Sequence, residues 1–435
     1  MFENINKILK LAAPMIIGNL GIVLIGLTDV FVAARHSTDT LASVAIGNSI
    51  LMNIFIFGLS LLTAVSPLLS NFRGQKIKVK KYFIPTIELS MIMAFLVCAL
   101  SIATIPLIDY LGFDKALIPD IKKYMFVCSF SNFGVYLFVA LKEYLQAFEI
   151  VVFPNILNLF CVFLNLYLNF IFVFGWYGLP QMGAVGLALA TVISRIIVGL
   201  ILLLYCLRTI KIKKYRDFSY FFKVIKMGLP ISGAVLMEMV AWNFITILVA
   251  KISSMYAAVQ SILITLTNAS FMIPMAISNA ISVKVGFENG AKNYSELKKY
   301  AYSGILISVI FMAFCGAIFL MFPRYCIGIF SQDTKLLEVA VPVLMLVGLF
   351  QVFDGLQVSI GGVFKGLKST NIIMIGTFIA YWILGLPLGF IFAFKLNMHL
   401  FGFWIGITVS IASLGIGFLT IMNKRFSKYK EKPKL

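Results

Sequence analysis

Charged side chains are scarce in this sequence: Asp, Glu, Lys and Arg make up only 12% of its 435 residues, while 61% are hydrophobic. Soluble globular domains carry about 25% charged residues, so the composition excludes an ordinary soluble protein. Histidine occurs twice, and the six cysteines form no CxxC pair or Cys/His cluster. The sequence also has no Walker loop, zinc motif or nucleophile elbow. We therefore expect neither an enzyme nor a protein with a bound cofactor.

Long apolar runs recur from one end of the sequence to the other. Because about 20 apolar residues in helical form cross the hydrocarbon core of a bilayer, each run is a candidate membrane helix. We predict an all-α integral membrane protein with about twelve transmembrane helices. Their expected ranges are 8–34, 45–71, 84–107, 124–145, 154–175, 182–207, 224–250, 258–283, 300–322, 339–364, 372–394 and 400–422.

The net charge of +19 has a one-sided distribution. Most of the Lys and Arg residues lie in alternate loops, on the side shared by both termini, which the positive-inside rule assigns to the cytoplasm. No aromatic-interleaved basic motif accompanies them, so nucleic acid is excluded as a partner. These loops could also contact anionic lipid. We predict a multi-pass protein of the plasma (inner) membrane with both termini in the cytoplasm.

The two halves of the sequence resemble each other. ILKLAAP at 8–14 matches VIKMGLP at 224–230, and Gly74 after the second span matches Gly290 after the eighth. Six plus six helices that start on the same side indicate parallel repeats, with a substrate path between the lobes. We predict an N-terminal lobe at 1–210, a cytoplasmic basic linker at 211–223, a C-terminal lobe at 224–422 and a basic cytoplasmic tail at 423–435.

Several predicted spans contain proline. Pro14, Pro67, Pro230, Pro274 and Pro387 each remove a backbone hydrogen bond and favour a kink. A kinked helix could bend between two states, although proline is also common in static membrane helices.

In the N-terminal half, Asp29 lies within an apolar run, and Asn165 and Asn169 share one helical face at i, i+4. A charge at bilayer depth costs several kcal/mol, on the order of 2.5–3.5 on insertion scales, so such residues usually face a cavity or an ion path. One carboxylate with two amides suits a monovalent cation or a proton relay. The alternative is that the asparagines only join helices. We interpret the three residues as a cation-coupling cluster.

In the C-terminal half, Glu238 and Asp354 each lie in the middle of a predicted span. An apolar surrounding disfavours the charged carboxylate, so each could carry a proton or release it when a cation arrives. Nearby aromatic and Met side chains suit an organic cation through cation–π and soft contacts, although each alone could serve packing or face lipid. The candidates for a substrate cavity are Met237, Trp242, Phe350 and Phe353.

Three basic residues at helix positions stand apart. Lys142 and Lys365 lie at matching ends of the fourth and tenth spans, which indicates a structural pin or a gate contact. Arg195 lies in the middle of the sixth span, where a structural partner, snorkelling towards the interface and a functional role are all open.

Four segments resemble the multidrug and toxic compound extrusion (MATE) family, close to its NorM-like branch. They are GLTDVFVAAR, LNLYLNFIFVFG followed by GAVGLALAT, GLPISGAVLMEM, and FQVFDGLQ running into GGVFKG. Asp29 with the two asparagines looks like the family's N-lobe cation site, and Glu238 with Asp354 looks like the C-lobe site of the NorM-like branch. The sequence departs from the branch at Phe350, where Tyr is frequent and would supply a hydroxyl.

The resemblance implies a V-shaped two-lobe fold with a cavity that opens alternately to each side. It implies a secondary active multidrug exporter, expected as a monomer, in which inward flow of Na⁺ or H⁺ drives organic cations such as drugs and dyes outward. The coupling ion and the substrate would compete for the acids. The alternative is a lipid-linked oligosaccharide flippase of the same superfamily, whose anionic cargo needs several basic residues in the cavity; Arg195 alone lies at that depth.

Overall fold

The structure is a computed structural model that describes residues 2–210 and 217–429, except for the side chains of residues 2, 22 and 23. Over these ranges it contains helices and no strand. Twelve helical segments are long and apolar enough to cross a membrane, which confirms the predicted fold class. We number them as spans 1–12: Glu3–His36, Thr38–Gly74, Val79–Tyr110, Ile118–Gln146, Val152–Phe174, Gly183–Thr209, Phe218–Ile252, Ser254–Ala291, Tyr294–Met321, Thr334–Gly366, Thr370–Lys395 and His399–Ser427.

Some spans consist of more than one helix. Span 2 contains Thr38–Leu62 and Val65–Gly74, and span 4 contains Ile118–Ser129 and Ser131–Gln146. Span 3 is the helix Phe83–Ala103 between the 3₁₀ turns Val79–Tyr82 and Ile105–Tyr110. Short helices at Trp176–Gly178 and Pro323–Gly328 lie between spans.

The predicted proline effects differ between spans. Helical structure continues through Pro14, Pro230 and Pro274, whereas span 2 breaks immediately before the helix that contains Pro67. Around Pro387, span 11 alternates between α and π geometry, in the order Thr370–Phe378 (α), Ile379–Gly385 (π), Leu386–Phe390 (α) and Ile391–Lys395 (π). Such π turns are frequent at functional sites.

Large apolar side chains cover much of the outer surface. Phe95 and Phe163 are each 64% exposed and Phe314 is 63% exposed. Water would make such a surface unfavourable, whereas acyl chains solvate it. The surface therefore agrees with a protein that is embedded in lipid.

Backbone packing divides the chain into two units. The N-unit consists of Ala13–Leu69 and Ile77–Ser232, and the C-unit of Met1–Ala12, Ser70–Lys76 and Gly233–Leu435, as far as these are described. Two short segments from the start of the chain thus pack with its C-terminal part. The predicted division into lobes, linker and tail stays a prediction, and residues 211–216 and 430–435 lie outside the described residues.

The end of span 2 is held in the C-unit by polar contacts. Ser70 Oγ donates to the carbonyl oxygen of Val283 at 2.6 Å, and Asn71 Nδ2 donates to that of Gly286 at 3.1 Å. Lys368 Nζ donates to Asn71 Oδ1 at 2.9 Å. At the other segment, Asn4 Nδ2 donates to a carboxylate oxygen of Glu296 at 3.2 Å.

Close helix crossings in the N-unit depend on glycine. A Cβ atom on Gly134 of span 4 would lie 2.5 Å from the backbone carbonyl carbon of Arg195 in span 6. Small residues of this kind let membrane helices approach at backbone distance. This crossing fixes the position of Arg195 in the unit.

Candidate functional site

The structure brings the three predicted N-unit residues together. Asn169 Nδ2 donates to Asp29 Oδ1 at 2.8 Å and approaches Asn165 Oδ1 at 3.2 Å. Asn165 Nδ2 in turn lies 3.4 Å from Thr191 Oγ1. Spans 1, 5 and 6 each contribute to this chain of polar groups. The i, i+4 spacing places both amides on the face of span 5 that meets Asp29.

One atom in this set of connected polar groups has no hydrogen-bond partner among the described residues. Asn169 is fully buried, and its Oδ1 makes no hydrogen bond within the described residues. A buried unsatisfied polar atom costs about 1–3 kcal/mol, so the position favours a positively charged or hydrogen-bonding occupant. An amide oxygen beside a carboxylate is a ligand set that suits a hard cation.

Asp29 lines a polar cavity inside the N-unit. Its volume of about 50 Å³ exceeds the roughly 10–15 Å³ that a cavity needs to hold a water molecule. The polar and charged residues that line it are Asp29, Asn48, Ser101, Tyr124, Ser129, Ser131, Asn132, Thr191 and Arg195.

Arg195 is partly buried and lines this cavity, and its role stays a prediction. Its Nη1 donates to Ser131 Oγ at 2.9 Å, and the guanidinium carbon lies over the ring of Phe55, 5.1 Å from the ring centre. Such a contact attracts the cation to the ring. An acid and a base therefore line the same small cavity.

In the C-unit, Glu238 has a partner that no sequence pattern indicated. Tyr381 of span 11 is 1% exposed, and its hydroxyl donates to Glu238 Oε1 at 2.7 Å. The next residue, Trp382, donates from Nε1 to the carbonyl oxygen of Met237 at 3.2 Å. Two consecutive residues of the π segment Ile379–Gly385 thus hold two consecutive residues of span 7.

Asp354 is 3% exposed, and Gln357 Nε2 donates to its Oδ1 at 3.0 Å. It lies near enough to Glu238 for the two carboxylates to interact electrostatically. Within the described residues, neither acid forms a salt bridge. In the described part of the chain, each of these two acids therefore has one neutral hydrogen-bond donor and no basic partner.

Two of the predicted cavity residues belong to an aromatic cluster beside Glu238. The ring of Trp242 lies 6.4 Å from that of Phe350, 6.5 Å from that of Tyr381 and 5.2 Å from that of Trp404. Phe350 is 2% exposed and also packs edge-on against Trp404, so it contributes to the core here. The cavity role of Met237, Trp242, Phe350 and Phe353 stays a prediction.

The two predicted gate lysines lie away from these clusters. Lys365 is eleven residues after Asp354 on one continuous helix, about 16 Å along its axis at 1.5 Å per residue. Lys142 is ten residues after Asn132 on span 4, about 15 Å from that cavity residue. The structure therefore joins neither lysine to an acid cluster, and their role as pin or gate stays a prediction.

The sequence reasoning missed Thr191, Gln357 and Tyr381. Thr191 is one helical turn before Arg195, and Gln357 is one turn after Asp354, so both carried a spacing signal. Tyr381 is 143 positions from Glu238 and carried none.

Comparison with known proteins gives a consistent result. A model of the MatE family matches residues 14–171 and 230–391. The chain is 30% identical over 441 residues to the probable multidrug resistance protein NorM of Mesorhizobium japonicum, covering 96% of this chain and 93% of that protein. It is 25% identical to the probable multidrug resistance protein NorM of Bacillus subtilis, covering 99% and 98%.

Among solved structures, the fold matches the crystal structure of MATE in complex with MaL6. The TM-score is 0.91 at 19% identity, over 99% of this chain and 98% of that chain. This likeness concerns the fold alone.

Proposed function

The chain belongs to the MatE family and acts as a multidrug efflux transporter, and on this premise we propose that it exchanges organic cations for Na⁺ or H⁺ by alternating access. The observation that carries the proposal is the pair Glu238, which is partly buried, and Asp354, which is buried; neither has a basic partner in the described residues. Family membership makes the protein a transporter, not an enzyme.

Charge balance is the physical argument for exchange. A buried carboxylate at bilayer depth costs on the order of 2.5–3.5 kcal/mol on insertion scales, and two interacting carboxylates repel each other as well. A proton, Na⁺ or an organic cation relieves both costs. Because all three neutralise the same charge, they compete, and inward flow of one drives outward release of another.

The Asp29 cluster offers a second cation-binding position. We propose that Asp29, Asn165 and Asn169 bind the coupling ion, supported by the hydrogen bond from Asn169 Nδ2 to Asp29 and by Asn169 Oδ1, which has no hydrogen-bond partner in the described residues. The C-unit acids, with aromatic rings next to Glu238, suit both the ion and an organic cation. No resident cofactor is part of this proposal.

The membrane setting follows from the spans and the charges. Twelve candidate spans make this a multi-pass membrane protein. We propose that it lies in the plasma (inner) membrane as a monomer with both termini in the cytoplasm, supported by the one-sided placement of Lys and Arg.

A lipid-linked oligosaccharide flippase is not favoured. An anionic pyrophosphate cargo needs several basic side chains in its binding site. In the described residues, neither C-unit acid pairs with a basic group, and the N-unit cavity is lined by a single one, Arg195.

The test is efflux of a cationic dye, ethidium, from proteoliposomes with an inward Na⁺ gradient and an inward H⁺ gradient imposed separately. We expect at least one gradient to stimulate efflux. Stimulation by neither contradicts ion-coupled exchange.

Variants of Glu238 and Asp354 test whether these two acids bind the coupling ion. Glu238→Gln and Asp354→Asn should abolish gradient-driven efflux at normal protein amounts, because each removes a charge that the ion and the dye share. Glu338→Gln, on the same helix as Asp354 but exposed, is the matched control and should transport normally. Efflux that survives both site variants shows that these acids do not bind the ion.

A further inference from the structure

The N-unit cavity contains one feature that ion exchange at Asp29 does not itself require. Arg195 lines the cavity together with Asp29, as the single basic residue among those that line it. Arginine remains charged throughout the physiological pH range. Its charge therefore acts on Asp29 across this cavity.

These opposite charges are near each other but not paired. Within the described residues, no salt bridge joins Arg195 to Asp29, although the two interact electrostatically. Instead, Arg195 contacts the Ser131 hydroxyl and the ring of Phe55, while Asp29 accepts its hydrogen bond from Asn169. We call this arrangement of Arg195 the parked position.

Both parked contacts are to uncharged groups. A guanidinium has five N–H donors, and Ser131 takes one of them in the described residues. A carboxylate is the stronger partner, because an ionised acceptor forms shorter and stronger hydrogen bonds than a hydroxyl does. In the parked position Arg195 therefore leaves Asp29 accessible to a cation, although the carboxylate would be a stronger hydrogen-bond partner for Arg195 than Ser131 is.

Among the described residues, no other charged side chain lines this cavity. The further titratable groups around it are Tyr124 and Cys128 of span 4 and Cys161 of span 5, whose phenol and thiols are neutral near pH 7. Spans 2 and 3 present the neutral groups Asn48 and Ser101. The charge that an arriving cation meets therefore comes from Asp29 and Arg195.

We propose that Arg195 is a resident competitor of the coupling cation for Asp29. In the parked position it leaves Asp29 free to bind the ion; when it turns to Asp29 it displaces the ion into the cavity and promotes its release. Arg195 is thus a positioning residue that sets the affinity of the site, not a ligand of the ion. The proposal rests on the proposed function and specifies how its N-unit site is regulated.

Competition makes predictions of opposite sign for two variants. If the ion binds only when Asp29 is free, its apparent affinity equals its intrinsic affinity multiplied by the fraction of time that Asp29 is free. Arg195→Gln removes the competitor and should lower the half-activating ion concentration, by about fivefold or more, as is typical of coupling between sites. Ser131→Ala removes the hydrogen bond that holds Arg195 in the parked position. Arg195 should then compete more strongly for Asp29, and the half-activating ion concentration should rise.

The experiment is the ethidium efflux assay in proteoliposomes, with the half-activating Na⁺ concentration measured at fixed pH and the half-activating H⁺ concentration at fixed Na⁺. Arg195→Lys keeps the charge and should retain most of the competition. Arg208→Gln, exposed in the last turn of span 6, is the matched control. In an Asp29→Asn background, Arg195→Gln should cause no further shift, because a competitor acts only through its target.

A half-activating concentration that is unchanged or higher in Arg195→Gln overturns the proposal. If that variant does not accumulate, Ser131→Ala and Arg195→Lys decide: the proposal stands if Ser131→Ala needs more ion and Arg195→Lys stays close to the native protein, and it falls otherwise. Native protein that moves ethidium under neither gradient contradicts the proposed function itself. If the native protein transports ethidium but the half-activating ion concentration does not change in the variants, only the competitor proposal fails.

Discussion

Individual hydrogen bonds decide how the C-unit tolerates the acids Glu238 and Asp354. Tyr381 and Gln357 give Glu238 and Asp354 one donor each. Hydrogen bonds to charged groups contribute about 1.5–3 kcal/mol, which is comparable with the insertion cost of a carboxylate. The acids are therefore held in place by single neutral contacts that a cation can supplement.

Tyr381→Phe tests the contact to Glu238. The variant removes the donor that stabilises the charged carboxylate, so the form of the site that binds an organic cation becomes less favourable. Since about 1.4 kcal/mol corresponds to a tenfold change, we expect the KM for ethidium efflux to rise about tenfold. Tyr325→Phe, on an exposed ring, is the control, and an unaltered KM in Tyr381→Phe would falsify a role for this hydroxyl.

Variants of two buried asparagines in span 5 can distinguish an ion-binding role from a role in holding helices together. Asn158 Nδ2 donates to the backbone oxygen of Gly18 in span 1 at 2.7 Å, whereas Asn169 contacts Asp29. We expect Asn158→Ala to lower the free energy of unfolding by about 0.5–1.5 kcal/mol, because it removes a buried hydrogen bond between spans 5 and 1. Asn169→Ala should keep stability and lose gradient-driven efflux.

Thermal unfolding in detergent and efflux in proteoliposomes, measured on both variants, give the comparison. If both asparagines affect only stability, they serve only to join the helices.

Much of the site could be read from local spacing. Asn165 and Asn169 are one turn apart on one helix, so their shared face follows from the α-helical repeat. Tyr381 could not be found in this way, because its hydroxyl reaches Glu238 from span 11 across 143 positions. That contact depends on how helices pack, which no local pattern records.

Among the helices, long apolar runs were the reliable signal. All twelve predicted spans correspond to helical segments, since a run of about 20 apolar residues has few alternatives in a bilayer. The π turns of span 11 were not predictable from Pro387 alone. Pro14, Pro230 and Pro274 lie in spans that remain continuous.

Helix crossings offer a test of packing. Gly134→Ala forces a Cβ atom to within 2.5 Å of the Arg195 backbone, and overpacking of this kind costs about 1–3 kcal/mol. Gly26→Ala, also in the N-unit, meets no atom within 4 Å and should be neutral or slightly stabilising. The change in unfolding temperature relative to the native protein should therefore be a decrease for Gly134→Ala and close to zero or an increase for Gly26→Ala. Equal unfolding temperatures for the two variants would contradict the close crossing.

Across the complete chain, the C-unit is discontinuous in sequence. It includes the described part of Met1–Ala12 and the segment Ser70–Lys76, which donates from Ser70 and Asn71 to backbone oxygens of span 8. The internal repeat indicates which segments match each other but not which helices pack together, so it could not predict this arrangement.

Expression of the halves as separate chains tests this arrangement. A fragment of residues 211–435 lacks both early segments, so we expect little folded protein from it alone. Co-expression with residues 1–210 should restore folded protein, measured by size-exclusion profile in detergent. A stable, monodisperse C-terminal fragment on its own would contradict the need for the early segments.

The placement of tryptophan gives this transporter an optical signal of its own. The chain has four tryptophans, and Trp242, Trp382 and Trp404 all lie in the C-unit around Tyr381 and Met237. Ultraviolet emission from the native protein therefore originates mainly beside Glu238. With Trp176→Phe to remove the remaining emitter, occupancy of that carboxylate could be followed in real time without any attached label.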